Sequence, residues 1–580
     1  MDQLPHMLAN LQMFGHQLLF PVPDLDRCDF LLMLGANPAA SNGSLMTAGD
    51  PLGRIKALRA RGGRVVLLAA MVQVMFVESH IRLRHLGEMV EGLSELKQAV
   101  ELFTPEAVTE ITGVPADTIR SLARDFASAR QAACYGRIGA CVQEFGGLTT
   151  WLLHAINVIT GNLDHEGGMM FSNPPFNALE LGPKGEFAKH RSRVRGLPSF
   201  GGELPVTALA EEILTPGQGQ IRLLATHAGN PVLSTPNGRQ LDEALAQLDF
   251  MFSIDIYINE TTRHAHIILP PSSPLERSHM DIGLAAVSVR NFAKWSPPLF
   301  ETPEGARQDW QILLELSNRL ADSGRLGRYV RKGVQGAVES LGLDAGLDLM
   351  LRFGPYGSHA KLVQKKSRAT ERVLSVLRPD RDGLSIKKLA ENPHGIDLGP
   401  LRRILPGALA TKDRKINLAP AIYLDDVKRA KQKLRSRHSQ ALQVIGRRDV
   451  RSNNSWMHNS QRLVKGKPRC TAYVHPDDAA RLQLTDGQHV RVTSRVGSIE
   501  LPAEITDAVM PGVISVPHGW GHGRAGVQLG TARKVAGVSL NDITDEQYID
   551  ALTGMPVLNG VPVTLSAVEA PVAVADTVAN

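Results

Sequence analysis

The sequence predicts an α/β protein of two lobes, each with a parallel sheet, followed by a C-terminal β-barrel. Three observations carry that prediction. The apolar run Phe30 to Leu34 ends in the polar turn GANPAASNG, residues 35–43. A second run, Ile221 to Ala225, ends in THAGNPVLSTPNG, residues 226–238. Beyond residue 441 the pattern changes to short β-rich runs, Val490 to Ser494, Ser498 to Pro502 and Val513 to Val516, parted by turns such as Thr485-Asp486-Gly487. Strand, turn, helix and strand in sequence is the order of a parallel sheet with crossovers. Short strands at regular spacing are the order of a barrel.

The first lobe is assigned to residues 1–175. After its strand at 30–34 comes a short helix over Arg54 to Arg61, broken by Gly62-Gly63, and a second strand from Arg64 to Leu68. Residues 74–103 read as helical. Thr104-Pro105-Glu106 and Pro115-Ala116-Asp117 read as helix starts, because Pro in a first turn forfeits no hydrogen bond. CYGRIGACVQEFGG, residues 134–147, leads into an apolar helix at 148–160. Gly136 and Gly139 fall in that strand-to-helix turn, where a missing Cβ permits close approach to a ligand.

The second lobe is assigned to residues 176–340. It has strands at 221–225 and from Phe250 to Ile256, a helix at 239–247, a strand from His266 to Leu269 stopped by Pro270-Pro271, and a helix at 308–321. Two lobes with matching turns read as an internal duplication. Residues 341–440 form a basic spacer and 441–580 the barrel.

The chain of 580 residues is too long for one core. At 43% hydrophobic and 21% charged it is globular in composition. No apolar run reaches the roughly 18 residues of a membrane span. The start, MDQLPHMLANLQMFGHQLL, lacks the features of a signal peptide, so a cytoplasmic protein is expected. Cys28, Cys134, Cys141 and Cys470 are scattered and none forms a CxxC, which predicts free thiols, no disulfide framework and no iron–sulfur cluster in this chain. The net charge of +6 is concentrated: residues 351–440 carry 21 Lys and Arg against 8 Asp and Glu. Without an aromatic-and-glycine RNA signature, that stretch reads as a solvated spacer rather than a nucleic-acid surface.

The paired turns suit an anion. At the carboxyl end of a parallel strand, free backbone N–H groups and a helix N-terminus favour negative charge. Asn37 and Asn230 both donate and accept through one side chain. Pro38 and Pro231 stiffen the turns, and Ser41 and Ser234 add hydroxyls. Each turn is a cradle for a diphosphate, so two cradles imply two nucleotide-like ligands or one ligand with two similar ends.

At these residues the sequence resembles a known family. LGANPAASNGSLMT, the stretch YGRIGACVQEFGG to TGNLDHEGGMM, and HAGNPVLSTPNG with IDIYINETTRHAHIILPP resemble the molybdopterin oxidoreductases of the dimethyl sulfoxide reductase type. LQVIGRRDVRSNNSWMHNS to VPHGWGHG resembles their molybdopterin-dinucleotide-binding barrel. The resemblance implies two Rossmann-like lobes, a double-psi-type barrel, and a molybdenum or tungsten cofactor with two molybdopterin guanine dinucleotides lying between the lobes. It matches Gly35, Asn37 and Ser41 to the first nucleotide turn, and Gly136 and Gly139 stand as further cofactor-binding candidates. It matches Gly229, Asn230, Pro231 and Ser234 to the second. Asp255 would face the N1–H and N2–H₂ edge of guanine, with Thr261 and Thr262 supporting ribose or phosphate. Arg447, Arg451, Asn454, Ser455, Trp456 and His458 match the pterin-facing loop, with His518 and Asn541 as further candidates. Asp255 as a helix cap and Trp456 as core packing remain open readings. His264, His266, His518 and His522 read as surface or loop histidines rather than metal ligands. No catalytic residue and no protein metal ligand is named by this reading.

The resemblance also has gaps. The family begins with an iron–sulfur or related domain and then supplies a Cys, selenocysteine, Ser or Asp ligand to the metal. Here the chain opens at MDQLPHML, just past that point, so an N-terminally truncated member is expected. The family's Asp-Pro-Arg and Thr-Glu-Thr stretch after the second strand is also missing, about thirty residues by the length of a strand-and-helix unit. Two functions stay open. One is a molybdopterin-dependent oxidoreductase subunit or fragment with a small-molecule substrate, its iron–sulfur head or electron carrier supplied by a separate chain. The other is a non-catalytic structural paralogue or remnant that retains the fold. A plain nucleotide-diphosphate-binding enzyme would explain the cradles but not the barrel.

Overall fold

The computed structural model describes residues 3–41, 43–52, 54–55, 68–176, 178–320, 325–363, 380, 382–435 and 441–568. The strand expected at 64–68 lies outside the described residues except for Leu68, as do most of the helix expected at 54–61 and the Gly62-Gly63 break.

The first lobe opens with α1 (Leu4–Phe14), which buries Leu8, Met13 and Phe14 and stops at Gly15 in a left-handed C-cap. Strand β1 (Phe30–Leu34) follows, then helices α2 (Leu68–Val77), α3 (Pro105–Thr112) and α4 (Ala116–Ser128). Thr104 caps α3 by accepting from Ala107 N at 3.2 Å, as the Thr-Pro-Glu start predicts. The single helix expected over 74–103 is broken: α2 ends at Val77, a 3-10 turn covers Arg84–Met89, and a new helix starts at Leu93. Gly92 at φ +82° supplies the break, a left-handed conformation open to glycine at no steric cost. Strand β2 (Ala132–Gly136) then pairs parallel to β1, from Phe30↔Ala132 to Leu34↔Gly136. Both strands therefore end level, and the turns that follow them lie side by side. Helix α5 (Gly146–Ile159) is buried along nearly its whole length.

In the second lobe β3 (Leu223–His227) runs into the short helix α6 (Pro231–Ser234) and then α7 (Gly238–Leu245). Strand β4 (Phe250–Ile254), strand β5 (Ile267–Ile268) and helix α8 (Asp309–Leu320) complete the expected series. The sheet order is β5-β4-β3, all parallel. Val232, Leu241, Leu245 and Met251 form its core.

The segment read as a basic spacer is partly core. Leu401, Leu409, Ile416, Leu418 and Tyr423 pack into the first lobe, the last at the start of α9 (Ala421–Arg435). Tyr423 stacks on Trp151 with ring centroids 5.5 Å apart, and Trp151 Nε1 donates to Leu418 O at 2.9 Å. Basic composition hid these apolar anchors. Arg429 and Lys428 of α9 pair with Asp426 and Asp425 on the same helix. Lys365 and Lys366 lie outside the described residues.

Six strands form the closed C-terminal barrel: β6 (Leu442–Arg447), β7 (Ala472–Val474), β8 (His489–Thr493), β9 (Ser498–Ile505), β10 (Val513–Pro517) and β11 (Val561–Ala567). Their order is β6-β10-β7-β9-β8-β11, closed by β11 on β6. The pairs β6–β10 and β7–β9 are parallel and the others antiparallel. Alternation buries Val490, Val492, Ile499 and Leu501 inside.

The barrel is bonded to both lobes. Gly147 N donates to Asp550 Oδ1 at 3.2 Å, and Leu558 N to Val142 O at 3.2 Å, on the first-lobe side. Asn237 N donates to Thr544 O at 2.9 Å on the second-lobe side. Among the described residues no helix is long and apolar enough to cross a membrane.

Candidate functional site

The two turns have the same backbone. The carbonyl of Asn37 accepts from Ala40 N and Ser41 N, each at 3.0 Å. The carbonyl of Asn230 accepts from Leu233 N and Ser234 N, each at 3.1 Å. Pro38 and Pro231 each open one turn of helix, and each turn leaves the carboxyl end of a parallel strand.

Their side chains differ. Asn37 and Ser41 are exposed, and neither side chain makes a hydrogen bond among the described residues. Asn230 is committed to the protein: Nδ2 donates to Glu260 Oε2 at 2.7 Å, and Oδ1 accepts from Thr261 Oγ1 at 2.7 Å. Ser234 Oγ donates to the Asn230 carbonyl at 3.0 Å. Thr261 Oγ1 also accepts from Val232 N, while Thr262 Oγ1 accepts from Asn259 N and donates to Tyr257 O. The sequence reading gave Asn230, Thr261 and Thr262 side chains to the ligand; here they hold the turn, and half-exposed Gly229 and Pro231 offer its backbone.

Gly136 is a packing glycine. A Cβ there would lie 2.2 Å from Leu153 Cδ1, so the glycine lets α5 approach closely. Gly139 meets Gly35, which has φ +58°, backbone to backbone. Asp255 is half-buried. Its Oδ1 accepts from Ile256 N at 2.6 Å and Tyr257 N at 3.0 Å, and Oδ2 from Asn259 Nδ2 at 3.3 Å. A carboxylate has about four lone-pair positions, so one on Oδ2 stays open. Burial raises the Asp255 pKa. Asp255 is not a helix cap: it accepts from the N–H groups of the turn at Ile256 and Tyr257, where no helix starts, and a guanine would meet one free oxygen position rather than two.

The barrel loop divides in the same way. Arg447 is a strut: it donates to Ser515 O and Thr471 O at 2.9 Å each, and its guanidinium lies 3.5 Å from the Tyr473 ring centroid. His458 is fully buried, and Asn541 spends Nδ2 on Leu233 O at 2.7 Å. These three, expected at the pterin, join protein to protein. Arg451, Asn454 and Trp456 are exposed, with Trp456 at 53%. Trp456 is therefore not core packing. Asn454, at φ +61°, accepts from Arg448, and its carbonyl abuts Gly519, where a Cβ would lie 1.8 Å away. Ser455 is buried and touches Asn230 Nδ2 at 3.5 Å. The buried His518 ring makes no hydrogen bond among the described residues, and burial, with Arg448 nearby, pushes its pKa down to about 3.

Of the other loop histidines, His264 pairs with Asp242 at 2.6 Å and His266 accepts from Met251 N at 3.1 Å. Among the described residues no group of three or more His, Cys, Asp or Glu could hold a metal ion. Sequence reasoning missed Glu260, His522, Arg448 and Asp550. Glu260 and His522 stood inside quoted motifs, but only the fold shows that they meet. A cleft of about 420 Å³ between α7 and the barrel is lined by Arg239, Arg524 and Asp542. Arg524 is tied to Asp242 and Asp542, and Arg239 to Asp542, so that cleft has little free positive charge for a diphosphate.

Two parallel sheets ending in matched turns, joined by a barrel that presents an exposed arginine, asparagine and tryptophan, define a dinucleotide-binding protein. The molybdopterin oxidoreductase family matches residues 6–319, and its molybdopterin dinucleotide-binding domain matches residues 442–562. The chain belongs to the molybdopterin oxidoreductase family. It is 22% identical over 528 residues to the alpha subunit of a formate dehydrogenase from Methanocaldococcus jannaschii, covering 86% of this chain and 72% of that protein. It is 22% identical over 652 residues to the molybdopterin-containing subunit of the arsenate respiratory reductase of Shewanella sp. strain ANA-3, covering 93% and 74%. The fold is similar to that of acetylene hydratase from Pelobacter acetylenicus, with a TM-score of 0.69, 16% identity, and 97% and 80% of the two chains covered.

The cofactor is accordingly molybdopterin guanine dinucleotide with molybdenum or tungsten. The residues present fit it. Among the described residues Asn37 and Ser41 have unspent polar groups beside backbone N–H groups and His518 has an unpartnered ring, and Arg451 and Trp456 offer charge and a flat ring to an anionic heteroaromatic ligand.

Proposed function

We propose that this chain is the cofactor-bearing subunit of a molybdenum- or tungsten-dependent oxidoreductase, with one dinucleotide end in each lobe's turn. The observation that carries this reading is the repeated backbone of the Asn37 and Asn230 turns. In the first lobe, Gly35, Asn37 and Ser41 bind phosphate through backbone N–H groups, amide and hydroxyl. In the second, the turn after Gly229 offers its backbone, and Asp255 Oδ2 accepts from guanine. Arg451, with Arg448 beside it, supplies positive charge, and Asn454, Trp456 and His518 contact the pterins. When bound, the cofactor supplies redox chemistry, with oxygen-atom or hydride transfer; the chain orients it and excludes water. The substrate is a small molecule, and an electron-transfer chain is a separate partner, a reading supported by relatives whose names describe subunits.

The test is purification from a host that makes the cofactor, followed by oxidation, pterin fluorescence and metal analysis. Near-stoichiometric pterin with molybdenum or tungsten is expected; a chain free of both overturns the proposal. Bound cofactor without dye-linked turnover in the complete complex would favour the non-catalytic paralogue.

A further inference from the structure

One unbroken chain of side chains crosses the junction between barrel and second lobe. Ser452 Oγ lies 2.8 Å from His458 Nε2, and His458 Nδ1 lies 2.9 Å from His522 Nε2. His522 Nδ1 lies 2.9 Å from Glu260 Oε1. Glu260 Oε2 accepts from Asn230, which accepts from Thr261. His458, His522 and Glu260 are at 0% exposure, so no water substitutes for a missing link. Trp520 covers the His458 ring at a centroid distance of 4.1 Å.

Neutral imidazoles satisfy every link in only one proton arrangement. A carboxylate accepts and never donates, so His522 donates from Nδ1 and accepts at Nε2. His458 must then donate from Nδ1 and accept the Ser452 hydroxyl at Nε2. Burial, with His522 and Arg469 nearby, pushes His458 down to about 3, which keeps it neutral. At Glu260 burial acts in the opposite sense, but the hydrogen bonds from His522 and Asn230 hold its carboxyl below the usual range. With both rings neutral, one buried negative charge fixes two histidine tautomers and the direction of the Asn230 amide.

Resting on the dinucleotide reading above, we propose that Glu260 is a positioning residue for the second dinucleotide. Its charge orients Asn230 and, through His522 and His458, seats the barrel loop that carries Asn454 and Trp456 against the turn. The diphosphate-binding form of the second turn exists only with the barrel docked. Glu260 need not touch the ligand to do this.

Glu260→Gln tests the claim sharply, because donors approach both oxygens and an amide satisfies only one of them. Adding Asn230→Asp moves the charge one link along: the amide introduced at position 260 would accept from His522 and donate to position 230, which would accept from Thr261. The measurements are ¹⁵N spectra of histidine-labelled protein, the melting midpoint, and guanine dinucleotide retained through gel filtration. In the unaltered chain two histidines should be protonated at Nδ1. Glu260→Gln should disturb both signals and reduce retention at least tenfold. The double variant should recover the signals and midpoint and retain more dinucleotide than the single variant. Nε2-protonated histidines in the unaltered chain, equal retention in Glu260→Gln, or no recovery in the double variant would overturn the role of Glu260. Absence of dinucleotide from the unaltered chain itself would instead overturn the dinucleotide reading, and this role with it.

Discussion

Gly139 N donates to Gly35 O at 2.9 Å, so the turns leaving β1 and β2 touch through their backbones. A Cβ on Gly35 would lie 2.1 Å from Ala140 N, and one on Gly139 2.8 Å from Gly35 Cα. Gly35 also holds φ +58°, where an added side chain is strained. Gly35→Ala should therefore destabilise the first lobe by about 2–4 kcal/mol, the sum of conformational strain and overpacking. Gly49, with nothing within 4 Å of its added Cβ, is the control. Melting curves should separate the two variants by several degrees; equal midpoints would contradict the contact.

The division of labour between the asparagines gives a second expectation. Asn37→Ala removes an exposed amide with no hydrogen-bond partner among the described residues, so dinucleotide retention should fall while the melting midpoint stays. Asn230→Ala strips partners from buried Glu260 and from Thr261, a loss of about 1–3 kcal/mol or more. It should lower both midpoint and retention. A drop in midpoint for Asn37→Ala alone would reverse the assignment.

How much of this was legible in the sequence depends on the kind of residue. The two turns, their strands and the barrel strands were readable because local pattern specifies them: apolar runs, Asn-Pro, and alternation in Val490–Thr493. The destination of Asn230 was not, since its partner Glu260 is thirty residues away and Asn37, with the same local sequence, has no such partner among the described residues. Arg447, His458 and Asn541 matched a binding motif, yet their side chains are spent on Ser515, His522 and Leu233. Motif spacing says where a residue sits, not which neighbour claims it. Tyr423 was lost for another reason: the surrounding lysines and arginines masked the few apolar residues that dock the segment.

Tyr423 supplies a third expectation. It is wholly buried, and its hydroxyl has no hydrogen-bond partner among the described residues. An unpaired buried hydroxyl costs about 1–3 kcal/mol. Tyr423→Phe keeps the stack on Trp151 and removes that cost, so its melting midpoint should equal or exceed the original. A clear fall would reveal a partner for the hydroxyl.

Asp550 predicts a pH dependence. It joins the barrel to the start of α5, and burial pushes its pKa up to about 6. A folded value above the unfolded one means the fold favours the protonated form. Its contribution is full below the unfolded pKa near 3.8 and is lost as pH rises through about 6. A shift of two units corresponds to about 3 kcal/mol. Between pH 4 and 7 the midpoint of Asp550→Asn should vary less than that of the original chain; parallel profiles would contradict the shift.

The central claim is that each lobe holds one guanine dinucleotide end in a turn of the same build. Its most direct test is the number of guanosine monophosphates released per chain on mild acid hydrolysis of the purified, cofactor-loaded protein. The structure predicts two, falling to about one in Asn37→Ala. One per chain in the original protein, a different nucleotide, or none would contradict it.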